Sequence, residues 1–302
     1  MKFSLFADFH HYPTRFPRAT EEDLDIILKR AEKENVDFVI HAGDFTHGPT
    51  GCKEFIKKYN DFHIPSYNVL GNHDTDNTPL ADTLELYKMP HQYYYFDCKG
   101  YRMIAFDNNY CKIDGEYIHY DCGNYFKTGS ARDWIPPEEV EWLRKTIDES
   151  PYPCILIGHG SFERPDGIKN REECMQIFRE ANKKRKNSVL MIINGHHHRD
   201  NFRIVDGILH VEMNSTSYDW LRERHNAYPK EECDSVFFYS NVLAWDVPVH
   251  AIVTVEGTTI TFEGMEGELH LGITEEMTGV STLDGAGRRA SPHVSSLKIT
   301  LH

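Results

Sequence analysis

The feature that most constrains this chain is a recurrence: short apolar runs end, one after another, in glycine, carboxylate, amide or imidazole. Phe3–Ala7 leads into Asp8-Phe9-His10, Val36–Ala42 into Gly43-Asp44, and Ser66–Leu70 into Gly71-Asn72-His73-Asp74. Cys154–Ile157 leads into Gly158-His159-Gly160, and Val189–Ile193 into a segment ending Gly195-His196-His197-His198. Apolar runs of this length bounded by turn formers predict buried strands. Taken alone, Gly71 to Asp74 reads equally well as a strand-to-turn junction, because Gly, Asn and Asp are turn residues. Five similar endings in one chain argue for more.

Helical stretches separate these runs. Leu24, Ile27, Leu28 and Ala31 fall at i, i+3, i+4 and i+7 behind Thr20-Glu21-Glu22-Asp23, a hydroxyl cap and acidic first turn. A shorter helix is expected over Cys52–Tyr59, another behind Pro136-Pro137-Glu138-Glu139 with Val140, Leu143 and Ile147 inward, and one near Arg171–Asn182. A β-α-β-α-β start implies parallel strands joined by right-handed crossovers. Open parallel sheets gather their carboxyl ends at one crevice, so residues spread from Asp8 to His198 are expected to converge. Hairpins are expected at Lys99-Gly100, Asp206-Gly207 and Glu256-Gly257, and a closing strand over Ser296–Leu301. Residues 108–133 read as a long polar loop, 214–248 as an aromatic-rich insertion, and 269–292 as loop.

Composition narrows the class. Thirty-three basic and 47 acidic residues give a net charge of −14, which disfavours binding a nucleic-acid polymer. An anionic substrate then needs local positive charge, which a bound cation can supply. Seven cysteines form no C-x-x-C pair and are odd in number, the pattern of free thiols in a reducing compartment. The first apolar run is too short for a signal-peptide core, and no run of eighteen apolar residues exists. A cytoplasmic protein without a membrane span is expected. No Gly-rich phosphate loop, G-x-S-x-G elbow or cysteine nucleophile competes for the chemistry.

The strand ends supply Asp8, His10, Asp44, Asn72, His73, His159, His196 and His198. Carboxylate, imidazole and amide oxygen suit divalent transition metals, and no thiolate biases the set toward structural zinc. Eight groups exceed what one ion accepts and suit two ions sharing a carboxylate.

In order and type, D-x-H, G-D, G-N-H-D, G-H and G-H-x-H resemble the five motifs of the calcineurin-like metallophosphoesterases, over about residues 2–265. The resemblance implies a four-layer α/β/β/α sandwich of two mixed sheets with flanking helices, with both late hairpins in the second sheet. One domain is expected over 1–302, with a C-terminal extension over about 266–302. The resemblance further implies that Asp8, His10 and His198 hold one metal and Asn72, His159 and His196 the other. Asp44 bridges them, and His73 faces the scissile phosphate as proton donor or oxyanion stabiliser. The cofactor is expected to be two metal ions, Mn or Fe first, with Ni, Zn or Mg as alternatives. The reaction it implies is attack by a metal-bridging hydroxide on the phosphorus of a small phosphomonoester, phosphodiester or nucleotide. A non-catalytic scaffold on the same fold is the alternative, and oligomeric state is not legible.

Other residues are open. Asp74 is expected to accept from an imidazole or to cap the following turn. Asn108 and Asn109 touch substrate or make a turn; Arg164 reaches a phosphate or is solvated. His47 lies three residues after Asp44, where the purple acid phosphatase branch has a tyrosine ligand. Because His10 is present here, His47 is expected near substrate or in the loop rather than on a metal. His11 and His197 are expected to pack beside the ligands. Tyr218, Trp220 and the 239–245 region either wall a pocket or form satellite core.

Overall fold

The first run, β1 (Lys2–Phe6), is followed by α1 (Glu21–Lys33), whose N-terminus closes with a reciprocal cap. Asp23 N–H donates to Thr20 Oγ1, and Thr20 N–H donates to Asp23 Oδ2. Leu24, Ile27, Leu28 and Ala31 form the buried face of α1, as the spacing predicts. The chain is seen in a computed structural model that describes residues 1–13, 19–235 and 237–302.

It continues through β2 (Phe38–His41), α2 (Lys53–Asn60), β3 (Ser66–Tyr67), α3 (Leu80–Leu86), β4 (Tyr94–Cys98) and β5 (Tyr101–Ala105). Next come β6 (Tyr110–Ile113), β7 (Glu116–His119), α4 (Pro137–Asp148), β8 (Cys154–Ile157), α5 (Arg171–Lys184) and β9 (Val189–Asn194). The last third holds β10 (Asn201–Val205), β11 (Ile208–Glu212), β12 (Tyr218–Trp220), α6 (Lys230–Ser235), β13 (Val242–Ala244), β14 (Ala251–Glu256) and β15 (Thr259–Glu263). Two short strands, β16 (Met265–Glu266) and β17 (His293–Val294), flank α7 (Glu275–Thr278) and precede β18 (Leu297–Thr300).

Two mixed six-stranded sheets result, in the orders β18-β15-β14-β1-β2-β3 and β10-β11-β9-β8-β5-β4. β1, β2 and β3 pair in parallel, as do β5, β8, β9 and β11. Alternation in the second sheet assigns its two faces. Met103, Ile155, Ile157, Met191 and Ile193 join the core shared with Phe3, Leu5 and Ile40 of the first sheet. Ile104, Leu156 and Ile192 instead join the cluster containing Leu143 and Ile147 of α4 and Ile177 and Phe178 of α5. The fold is mixed α/β with two mixed sheets and helices.

Two expectations change. Of the two late hairpins, only β10–β11 lies in the second sheet; β14–β15 extends the first, because β14 pairs antiparallel with β1. Residues 108–133 are not a featureless loop: β6 and β7 form a hairpin whose turn, Asp114-Gly115, has φ of 51° and 91°. Within 266–302, β18 falls where the closing strand was expected and pairs with β15, and Asp284 bonds Arg164 at 2.7 Å.

Candidate metal centre

Every parallel strand of the motif set delivers its polar ending to the same place. Just beyond β1, β2 and β9, five of the side chains sit on left-handed backbone: Asp8, His10, Asp44, His196 and His198, with φ between 49° and 73°. Non-glycine residues avoid this region at about 1–2 kcal/mol each. Such strain clusters where a side chain has to point in one direction. Two glycines give clearance: a Cβ on Gly71 falls 2.2 Å from Asp44 Oδ1, and one on Gly195 falls 2.3 Å from Asp8 Oδ2.

Three groups of potential donors form: two that fall within the expected ligand sets, and His10 with His47 and His73. Asp8, His10 and His198 present ligand atoms within 4.8 Å of one another, and so do Asp44, His159 and His196. In the first, Asp8 Oδ1 is 3.2 Å from His198 Nε2, which is 3.0 Å from His10 Nε2. In the second, His159 Nε2 is 3.1 Å from His196 Nδ1, 3.1 Å from Asp44 Oδ2 and 3.2 Å from Asn72 Oδ1. Asp44 Oδ2 also lies 3.8 Å from His10 Nε2, so one carboxylate oxygen stands between the clusters.

The orientation of each donor is fixed from behind. His159 Nδ1–H donates to the Ala42 carbonyl at 2.9 Å and His198 Nδ1–H to the Tyr218 carbonyl at 2.8 Å, leaving both Nε2 lone pairs facing the clusters. Asn72 Nδ2 donates to Tyr125 Oη at 3.2 Å, which turns the amide oxygen inward. The His196 backbone N–H donates to both Asp8 oxygens, and His73 N–H donates to Asp44 Oδ1 at 2.8 Å.

The electrostatics suit a cation. Burial alone lowers an imidazole's pKa, yet Asp44 and Asp8 push that of His159 up to about 10, so the pocket favours positive charge at Nε2. Burial and the neighbouring imidazole His159 take His196 down to about 4, and burial lowers His10 well below the usual range, so both offer neutral lone pairs. Asp44 is held well below the ordinary carboxylate range: burial opposes this, but His159 and His73 outweigh it. Two carboxylates, four imidazoles and an amide oxygen fit two transition-metal ions.

His73 is the open member, its side chain 20% exposed. Its Nδ1 is 2.7 Å from Asp76 Oδ2, which also lies 3.3 Å from His47 Nδ1. Tyr125 O–H donates to the other Asp76 oxygen at 2.6 Å. His47 Nε2 is 3.0 Å from His10 Nδ1. Asp76 therefore connects three groups: His73 directly, His10 through His47, and Asn72 through Tyr125. His73 is raised above the usual histidine range: burial lowers it, and Asp44 and Asp76 prevail.

Other expected contacts fall elsewhere. Asp74 meets no imidazole: it accepts from Thr46 N at 2.9 Å, Gly71 N at 2.8 Å and Tyr87 Oη at 2.5 Å, joining the loops behind the ligands. Arg164 is buried, with Nε and Nη2 on Asp166 and Nη1 on Glu212 and Asp284, so its donors are committed to carboxylates rather than a phosphate. Asn108 accepts from Gly160 N at 2.7 Å and Asn109 donates to the Leu70 carbonyl at 3.0 Å; both are buried behind the centre. His11 stacks on Phe55 at 3.8 Å, and His197 Nδ1 lies 3.3 Å from Glu212. Tyr218 packs 5.1 Å from the His10 ring and, like Tyr239 and Trp245, belongs to the core. The reading of the sequence missed Asp76 and Tyr125. Asp76 had a signal, three residues after His73; Tyr125, inside the insertion, had none.

Strand ends converging on two donor clusters with a carboxylate between them define an α/β protein with a candidate site for two metal ions. The profile of the calcineurin-like phosphoesterases matches residues 1–200, and the chain belongs to that family. A dimetal phosphatase from Danio rerio shares the fold with a TM-score of 0.61 at 14% identity, covering 100% of this chain and 99% of that one. GAP50, described as the anchor in the inner membrane complex of Plasmodium, is similar at a TM-score of 0.55 and 12% identity, covering 100% and 89%. No curated protein matches the chain in sequence.

Proposed function

We propose that the protein hydrolyses a small phosphomonoester, phosphodiester or nucleotide with two metal ions, Mn or Fe before Ni, Zn or Mg. Membership of a phosphoesterase family supports metal-dependent phosphoester hydrolysis as the class. The observation that carries the finer reading is Asp44, whose Oδ2 lies 3.1 Å from His159 Nε2 and 3.8 Å from His10 Nε2. A carboxylate in that position can serve two ions at once.

In this reading Asp8, His10 and His198 would hold one ion, Asn72, His159 and His196 the other, and Asp44 would serve both. When bound, the pair activates water and neutralises charge on the phosphoryl oxygens. The remaining work belongs to side chains. His73, exposed on the substrate side, holds a proton at Nε2 for the departing oxygen while Asp76 fixes Nδ1. Tyr125 and His47 keep Asn72 and His10 aimed inward. The ligand-lined floor is buried, which strengthens these interactions.

The fold also serves as an anchor in GAP50, so architecture alone does not decide between catalysis and scaffolding. The full donor set with an open His73 favours catalysis. No helix among the described residues is long and apolar enough to cross a membrane. Seven cysteines without a disulfide suit the cytoplasm. The test is a chromogenic phosphoester screen with Mn, Fe, Ni, Zn and Mg added separately. Turnover with at least one metal is expected. Silence with two ions bound favours the scaffold.

A further inference from the structure

Phe126 stands at the mouth of the site, 62% exposed, its ring centroid 6.4 Å from that of His73. A lone exposed phenylalanine is ordinary on a protein surface; its fixed position beside His73 is not. The ring belongs to a short turn anchored on both sides. Tyr125, buried directly before it, bonds Asp76 at 2.6 Å and packs 4.4 Å from Phe126. Gly123 N–H donates to the Thr75 carbonyl at 2.9 Å, and the Gly123 backbone, at φ +67°, leaves the gap between Asp76 and Phe126 that a Cβ would fill. Tyr125 and Tyr218 at the same site are buried; Phe126 alone of these rings is held out toward solvent.

Its neighbour says what it meets. Asp76 occupies His73 Nδ1, so Nε2 is the nitrogen left to give a proton to the departing oxygen. The first atoms of the leaving group then lie beside His73, and Phe126 is the exposed ring next to that imidazole, 6.4 Å between centroids. We infer that Phe126 is a platform for the leaving group, and that the preferred substrate is a phosphoester with an aromatic ring within a bond or two of its ester oxygen. The inference rests on the phosphoesterase reading above. The step balances: water forms the new P–O bond, the ester P–O bond breaks, and the proton His73 gives to the leaving oxygen is replaced by one from that water. Aromatic pairs prefer offset or edge-on contact at 4.5–7 Å, and the tilted, exposed ring leaves one face for it.

The test compares benzyl and ethyl esters, in the mono- or diester form that the wild type hydrolyses, because both leave as simple alkoxides and differ in the ring. Phe126→Ala is expected to lower kcat/KM for the benzyl ester about 3- to 10-fold and to change the ethyl ester by less than about twofold. Metal content and inhibition by inorganic phosphate stay at wild-type values, and Phe126→Trp restores the benzyl preference. Equal losses on both esters, or no loss on either, overturns the inference while leaving hydrolysis intact. A wild type that hydrolyses chromogenic esters but neither of these overturns the inference alone, whereas one silent on all of them with every metal removes the phosphoesterase reading and this inference with it.

Discussion

Replacing Asp76 with asparagine is the most informative single change, because it keeps the shape and removes only charge and one accepting oxygen. The carboxylate accepts from His73 Nδ1 at 2.7 Å and Tyr125 Oη at 2.6 Å and lies 3.3 Å from His47 Nδ1. An amide offers one oxygen to this group of donors. The charge-assisted bond to His73 is worth about 1.5–3 kcal/mol, so its loss corresponds to roughly 10- to 150-fold in kcat. No metal ligand is altered, but Asn72 and His10 lose part of their support, so metal affinity is expected to fall roughly 10- to 100-fold. The assay is therefore kcat at saturating metal, with metal bound per chain measured on the same sample. The pH profile gives a second reading. Asp44 and then Asp76 raise the His73 pKa against burial, and His73 gives its proton only while protonated. Removing the Asp76 charge lowers that pKa, so the alkaline fall in activity moves to lower pH. An unchanged kcat and alkaline limb in fully loaded Asp76→Asn, or a loss wholly repaired by added metal, refutes the reasoning.

Further changes separate the other parts of the site. Asp44→Asn or His159→Ala is expected to lower metal content and hydrolysis together, whereas His73→Ala keeps both metals and loses turnover most for poor leaving groups; elemental analysis beside steady-state rates distinguishes them. Gly71→Ala places a methyl 2.2 Å from Asp44 Oδ1 and should cost metal binding before it costs folding, read by metal stoichiometry against thermal melting. Arg164→Met takes one cation from Glu212, which keeps Arg288, and from Asp284, which keeps Arg199 at 3.8 Å; losing the charged hydrogen bonds is expected to destabilise by about 1.5–3 kcal/mol in denaturant titration, with hydrolysis of small esters retained. His119 has both ring nitrogens 2.6 Å from acceptors, Asp107 Oδ2 and the Tyr120 carbonyl, so it is held as a cation. Burial lowers its pKa, but Asp107 prevails and the folded value is raised. Its stabilisation is complete below the unfolded value of about 6.5 and is lost as pH rises through the higher folded value. Melting temperature should fall over that alkaline range in wild type and be flatter in His119→Gln.

The eight strand-end residues were legible because each ends a strand that the chain must bury, and parallel strands have one common edge. What surrounds them was less so, for local reasons. Asp74 was left between an imidazole and a turn cap and Asp76 was passed over, yet His73–Thr75 form a 3-10 turn. In that turn residues three apart eclipse, which brings Asp76 over His73 and sends Asp74 inward to backbone amides. The β14–β15 hairpin was recognised as a hairpin, but its pattern says nothing about which sheet edge it joins. Its backbone pairing with β1 decides that. The β6–β7 hairpin hid because three of its eight residues are exposed and no apolar alternation marks it. Its Asp114-Gly115 turn was the available sign. Arg164, left between a phosphate and solvent, meets neither: carboxylates from three separate segments, Asp166, Glu212 and Asp284, claim its donors.

The central claim is that two ions held by these strand ends make the protein a phosphoesterase. It is tested most directly by titrating metal-free protein with Mn2+ while following both bound metal and hydrolysis of a chromogenic phosphoester. The account predicts two ions per chain, activity that appears as the sites fill, and neither in Asp44→Asn. Full activity without metal contradicts it, and so does a doubly loaded protein that remains inert with every metal in the series.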